Sequence, residues 1–478
     1  MIVQHHGPRV DNLAAETLRA DRRVAEARQL LLAAVSDQQR GLTGVRPPRG
    51  DRKVAYQQLL DQFAAARGGE LFYPYIGSGL GRGPLVELAD GSVKYDMIGG
   101  IGVHIMGHSH PALLAAGLDA AVSDTIMQGN LQQNVESAAL LHSLLVAAAA
   151  TGADLPHCFL STSGAMANEN ALKIVLQKHH PADRVLAFER CFMGRTLAMA
   201  SITDKPAYRD GLPLAIAADY VPFYDAADPE GSTQRAVSVL KRHLARHPGR
   251  HAVMCLEMVQ GEGGCNPGSK AFFAALVAVL REAGVAIFVD EVQTFGRLER
   301  LFAFEQFGLA PHVDVVTIGK LSQVCSTFFR DSFVPRPGLL SQTFTAATSA
   351  IIAARTILDH LQPGGYYGPD GRIAAIHRRF VSHFNAIAAR HPGIIRGPHG
   401  TGGMLAFQAF DGNAARTRQL LRALFEAGVI AFAAGAQPTR VRFLPPLAVI
   451  DDATIDAVCE ILERVLVAAA KDTPGGRP

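Results

Sequence analysis

The sequence has no tryptophan, no cysteine pair spaced as CxxC, and no uncharged apolar run near the roughly 20 residues of a membrane span. The missing tryptophan decides nothing. The six cysteines (Cys158, Cys191, Cys255, Cys265, Cys325, Cys459) are scattered, several within apolar runs, so buried free thiols in a reducing compartment are expected. The start, Met1-Ile-Val-Gln-His-His6, lacks the basic-then-apolar pattern of a secretory signal. Charge of one sign is also scarce. Lys and Arg number 46 against 43 Asp and Glu, and a net +3 is too slight to argue for nucleic acid or a membrane surface as partner. The expectation is a soluble, cytoplasmic protein. At 478 residues it exceeds one core, so two or three domains are expected.

Residues 1–70 are charged, rich in Ala and Leu, and helical in pattern. One long helix is expected over Asp11–Gln39 and a second over Val54–Ala65, with Arg46-Pro-Pro-Arg-Gly50 between them. Asp90-Gly91, flanked by alternating runs, predicts a β-hairpin. His104, His108 and His110 lie close together, but without the carboxylate-and-His spacing of a zinc helix, so no metal is expected. From Pro111 the pattern is α/β, with a mostly parallel sheet and helices on both faces. Strands are expected at His157–Ser161, Val185–Phe188, Ala252–Glu257, Ala286–Val289 and Val315–Ile318, with helices over Ala167–Gln177, Lys270–Ala283 and Ile351–Leu361. A smaller α+β domain follows, with strands at Met404–Phe407 and Arg440–Phe443, before a polar tail, Asp472–Pro478. The division expected is a helical arm (1–70), an N-terminal part of the small domain (71–110), a large domain (111–365) and a C-terminal part of the small domain (366–478).

Two stretches carry the chemistry. Ala286–Arg297 is an apolar strand ending in Asp290, and Asp314–Lys320 is another ending in Lys320. Ligands of open α/β sheets bind beyond the carboxyl ends of the strands, so Asp290 and Lys320 are expected at one crevice. A lysine that forms a Schiff base and an acid that pairs with a pyridinium nitrogen suit pyridoxal phosphate (PLP). A structural ion pair at the sheet edge fits these two residues equally well. Ser163-Gly164-Ala165, between strand and helix, can hold a phosphate through backbone N–H groups, or be a plain N-cap. Phe192 at a strand exit can stack on a flat ring or fill the core. Glu257 and Glu262 flank a turn that can orient a substrate-binding arginine.

Together with Gly107-His108-Ser-His-Pro111, Phe192-Met-Gly194-Arg195-Thr196, Gln260-Gly-Glu262, Asp290-Glu-Val-Gln293, Gly319-Lys320, Thr343-Phe344 and Arg442-Phe-Leu-Pro-Pro446, these pieces resemble the class III (subgroup II) PLP-dependent aminotransferases of fold type I, over roughly 84–466. The resemblance implies that Lys320 is the Schiff-base lysine and catalytic base and that Asp290 binds the pyridinium nitrogen. It implies that Gln293 meets the ring's phenolic oxygen, that Phe192 stacks on the ring, and that Ser163, Gly164 and Ala165 bind the phosphate. Thr343 would reach the phosphate of a neighbouring subunit's cofactor, which implies a homodimer with active sites at the interface. Arg442, Glu262 and Arg195 would bind substrate, Arg442 through a carboxylate. Met166, Met193, Met258 and Thr345-Ala-Ala-Thr348 depart from the family pattern and mark a divergent branch.

The activity this implies is transfer of an amino group to a 2-oxoacid, 2-oxoglutarate above all, by a ping-pong route. Lys320-Leu-Ser-Gln-Val-Cys325 is similar to the segment in lysine 6-aminotransferases, which points to a terminal amine donor such as lysine, ornithine or an N-acylornithine. The same fold supports amino-group mutases and amino-acid epimerases, and a non-catalytic scaffold is a further alternative that an intact Lys320 argues against.

Overall fold

The computed structural model describes residues 13–124 and 127–471. The ends of the expected helix at Asp11 and the tail at Asp472–Pro478 fall outside them. The arm differs from expectation. In place of one long helix there are two, Ala14–Arg19 and Arg22–Gln39. Asp21 causes the break: its backbone is extended (ψ 127°) and its side chain accepts from Arg23 N at 2.8 Å, so it caps a new helix. The second helix lies along Pro111–Ala121 of its own chain, joined by Arg28 Nη1 to Asp119 Oδ1 at 2.9 Å. Lys53–Arg67 forms the next helix, closed by Gly68 at φ 71°.

The hairpin at Asp90-Gly91 pairs Leu85–Leu88 with Val93–Asp96 antiparallel, and Gly77–Arg82 adds a strand on one side. On the other side Val429–Ile430 joins in parallel, so this four-stranded sheet is built from the two ends of the chain. A second four-stranded sheet contains Ile395–Thr401, Met404–Ala409, Arg440–Phe443 and Phe432–Ala434.

The large sheet has seven strands: β1 (His157–Ser161), β2 (Arg184–Phe188), β3 (Ala217–Val221), β4 (His251–Leu256), β5 (Ala286–Glu291), β6 (Val315–Ile318) and β7 (Cys325–Phe329), in the order β1-β7-β6-β5-β4-β2-β3. The run from β6 to β3 is parallel, whereas β7 is antiparallel to both neighbours. The apolar strands predicted from sequence are present. Two were not foreseen. Ala217–Val221 is a half-exposed edge strand with little apolar signal, and Cys325–Phe329 follows Lys320 too closely to read as a separate element. Phe288, Val289, Val315, Val316 and Ile318 are fully buried, each worth about 1.5–3 kcal/mol over its exposed state. Helix α1 (Gly164–Lys178) packs on this sheet and is sewn to β7 by Thr327 Oγ1, which donates to Ala167 O at 2.9 Å. No helix among the described residues is long and apolar enough to cross a membrane.

Candidate active site

Parallel register decides where the site forms. Asp290 pairs with Thr317 and Glu291 with Ile318, so the chain emerging from β6 delivers Lys320 beside the C-terminal end of β5. Lys320 opens a tight helical turn with φ 54°, in the left-handed region. A narrow cleft open to solvent lies here. Lys320, Asp290, Phe192, Gln293, Glu262, Gly164 and Ala165 all line it.

Each wall has a local cause. Ser163 caps α1 by accepting from Met166 N at 3.2 Å, which leaves the Gly164 and Ala165 amides of the first turn without intrahelical partners at the cleft. Gly194 has φ 134°, and a Cβ there would meet the Cβ of Ala165 at 2.9 Å, so the loop carrying Phe192 presses closely on α1. Phe192 N donates to Glu257 Oε2 at 2.9 Å, and the Phe192 ring stands edge-on to Tyr208.

Burial dominates the electrostatics. It lowers the pKa of the Lys320 amine, against the opposing pull of Asp290 and Glu262. It raises that of the Asp290 carboxyl, although Val292 N–H and Asn168 hydrogen-bond to the charged form. Glu257 is pushed up to about 8 by burial and by the Asp290 charge, both of which disfavour its carboxylate. Arg442 is 0 % exposed, with Nη1 2.7 Å from Glu262 Oε1 and 3.2 Å from Gln293 Oε1, while its Nε and Nη2 have no partner. For Glu262, burial pulls the pKa up, but the charge and hydrogen bond of Arg442 outweigh it and hold the carboxyl below its usual range.

Four residues from the sequence reading lie outside the cleft lining: Ser163, which caps α1, Arg442, which meets the lining through Glu262 and Gln293, and Arg195 and Thr343, which stand apart. The Arg195 guanidinium lies outside the cleft lining, 3.8 Å above the Tyr208 ring. Thr343 is exposed, in a loop held against residues 128–130, and does not line this chain's cleft. Conversely, the sequence reading missed Asn168 and Thr317, both buried beside Asp290. Asn168 lies in the second turn of α1 and Thr317 within an apolar strand, and no period or motif marks either one. The histidines are engaged locally: His108 Nε2 bonds Asp96 Oδ2 at 2.9 Å, and His104 lies over His108. Among the described residues no group of three His, Cys, Asp or Glu side chains is placed to hold a metal ion.

Comparison with known proteins fits this geometry. A sequence model of the family described as aminotransferase class-III matches residues 75–466. The acetylornithine aminotransferase of Parasynechococcus marenigrum is 30 % identical over 383 residues, covering 77 % of this chain and 86 % of its own. The lysine aminotransferase of M. tuberculosis, solved in its internal aldimine form, superposes with a TM-score of 0.75 at 25 % identity, covering 86 % of this chain and 99 % of its own. The ornithine aminotransferase of Toxoplasma gondii shares the fold, with a TM-score of 0.74 at 22 % identity over 89 % of this chain and 100 % of its own.

Proposed function

This chain belongs to the class-III aminotransferases, PLP-dependent enzymes of fold type I, and from that premise we propose that it moves the terminal amino group of an amino acid to a 2-oxoacid by a ping-pong route. The cleft fits the cofactor: one amine, the buried acid Asp290 at the strand end, one aromatic face and the free amides of a helix N-terminus converge on it. The cofactor supplies an electron sink for the carbon that loses or gains the amino group.

In this reading Lys320 holds the cofactor and moves the proton at the reacting carbon, and burial lowers the pKa of its amine, which eases release of a proton. Asp290 would face the ring nitrogen, whose positive charge would offset the burial that disfavours its carboxylate. Phe192 would cover the ring, Gln293 would meet the phenolic oxygen, and Ser163, Gly164 and Ala165 would hold the phosphate. Thr343, exposed at the rim of its own chain, completes the phosphate site of a second copy, which makes the working unit a homodimer. The arm (1–70) and a small domain from 71–110 and 366–478 flank the cofactor domain, 111–365. Five buried thiols and one half-buried one, with no disulfide, suit the reducing cytoplasm.

The observation that carries the substrate reading is Arg442, a buried guanidinium with unpaired nitrogens, countered by Glu262 at the cleft. When Glu262 is its partner, an uncharged end of a donor can lie alongside. When Glu262 turns away, Arg442 can take a 2-oxoacid carboxylate by a bidentate pair. Beyond Phe192 and Glu262 a second cavity is lined by Arg190, Lys205 and Asp204, and its two cations suit a carboxylate at the far end of lysine, ornithine or an N-acylornithine. The test incubates the holoenzyme with each donor, with and without 2-oxoglutarate, and follows glutamate. Glutamate should appear in step with donor consumed and only with the acceptor, with parallel double-reciprocal lines. Full-rate isomerisation of a single amino acid without an acceptor would instead make it a mutase or epimerase.

A further inference from the structure

Asp290 sits at the end of β5, and its two oxygens have different partners. Oδ1 accepts from Val292 N at 2.8 Å, whereas Oδ2 accepts from Asn168 Nδ2 at 2.7 Å. The same Nδ2 donates to Met193 O at 2.8 Å, in the loop that carries Phe192. Asn168 Oδ1 accepts from Thr317 Oγ1 at 2.7 Å, from the strand that leads into Lys320. Asn168 itself stands in the first turns of α1, whose leading amides line the cleft. One buried carboxamide, 1 % exposed, therefore joins four segments that reach the cofactor site separately.

The amide has only one orientation that works. A carboxylate and a backbone carbonyl, both acceptors, face one end, so that end must be the NH₂. The oxygen is left for the Thr317 hydroxyl. Register makes this possible, since Asp290 and Thr317 are direct neighbours on adjacent parallel strands. A longer side chain at position 168 would not fit between them, and a carboxylate there would set like charges together.

We infer that Asn168, braced by Thr317, is the positioning residue that aims Asp290 at the cofactor ring and locks the Phe192 loop and the Lys320 strand to the same frame. The inference rests on the reading that Asp290 faces the ring nitrogen. Lys320 also acts on Asp290, and Asp290 in turn raises the pKa of Glu257 and Cys255, so any change in its titration must be read with those groups intact.

The experiment compares apoenzyme variants N168A, T317V, T317S and D290N. It measures PLP dissociation constants, the pH titration of the bound cofactor's visible band, and the melting of the apoprotein. N168A should weaken PLP binding on the order of tenfold to a hundredfold, the size of one hydrogen bond to a charged group with its partner left buried. Its band titration should move towards that of D290N. T317V should show a smaller loss in the same direction, about fivefold, and T317S should restore wild-type behaviour. N168A that folds yet binds PLP and titrates within about twofold of wild type would overturn the inference. If N168A does not fold, T317V indistinguishable from T317S overturns it instead. A D290N protein with unaltered affinity and titration would sink the underlying reading of Asp290 rather than the role of Asn168.

Discussion

Replacing Glu262 by alanine bears most directly on how the cleft reads a carboxylate. Arg442 is fully buried, and without Glu262 its one remaining side-chain partner is Gln293 Oε1 at 3.2 Å. A guanidinium cannot shed its proton at this cost, so the charge stays buried and under-paired. Breaking a buried ion pair from one side costs about 3–5 kcal/mol. The Glu262 side chain is 17 % exposed, so water entering the vacated space puts the cost near the lower end, about 3 kcal/mol. Unfolding entropy of about 2.1 cal/mol/K per residue makes that a fall in Tm of about 3 °C for a chain of 478 residues. The pH sign follows from the depressed Glu262 carboxyl. Its stabilisation is complete above the unfolded carboxylate range and is lost as pH falls through the lower folded value, so the gap between wild type and E262A should close in acid. A dicarboxylic 2-oxoacid supplies the missing anion. It should raise the melting temperature of E262A more than that of wild type and lower the acceptor KM, because no resident carboxylate has to be displaced. E262Q, which keeps an amide oxygen, should fall between. Scanning fluorimetry with and without 2-oxoglutarate, plus steady-state kinetics, checks this. Melting within about 1 °C of wild type, together with an unchanged acceptor KM, would refute the argument.

K320A should keep its circular dichroism spectrum while losing transamination and the absorbance at ~400–430 nm expected of lysine-bound PLP; a persistent band would remove Lys320 from its role. At Gly261 a Cβ would fall 2.0 Å from Gln293 Oε1. G261A should therefore push Gln293 off Arg442 and cost about 1–3 kcal/mol, read by urea denaturation alongside the acceptor KM. At the opposite edge of the large sheet, burial alone would raise the pKa of Asp219, but bonds from Arg184 and His251 hold it at about 2. That stabilisation is present above the ordinary aspartate range and lost as pH falls towards 2. D219N should thus lower Tm at pH 7 and converge on wild type in strong acid; a constant difference across pH would contradict the assignment.

The sequence made the strand-end placement of Lys320 and Asp290 legible, because an apolar β-branched run that stops at a charged residue sets that residue beyond the carboxyl end of a buried strand, although a structural ion pair fitted the two residues alone equally well. The Arg442–Glu262 pairing was legible only through resemblance, since the two residues lie 2.7 Å apart from distant parts of the chain. Asn168 and Thr317 were not legible. Each is a polar residue at an otherwise apolar position, and its partner is chosen by strand register, which a local pattern does not encode. The same limit applies to β7, whose direction depends on a tight turn after Lys320 rather than on its own composition. Asp21 was readable in principle, as a capping residue ahead of two arginines, but helical periodicity on both sides masked it.

The left-handed backbone at Lys320 has a consequence for the evolution of the chain. A side chain at that φ is strained, and glycine would relieve the strain. Drift towards a sturdier, inert protein is therefore open at the one position where the proposed mechanism needs an amine, and under that mechanism selection for turnover would hold the lysine in place. A glycine replacement there, supplied with a small soluble amine, would separate the tension stored in the fold from the work that tension supports.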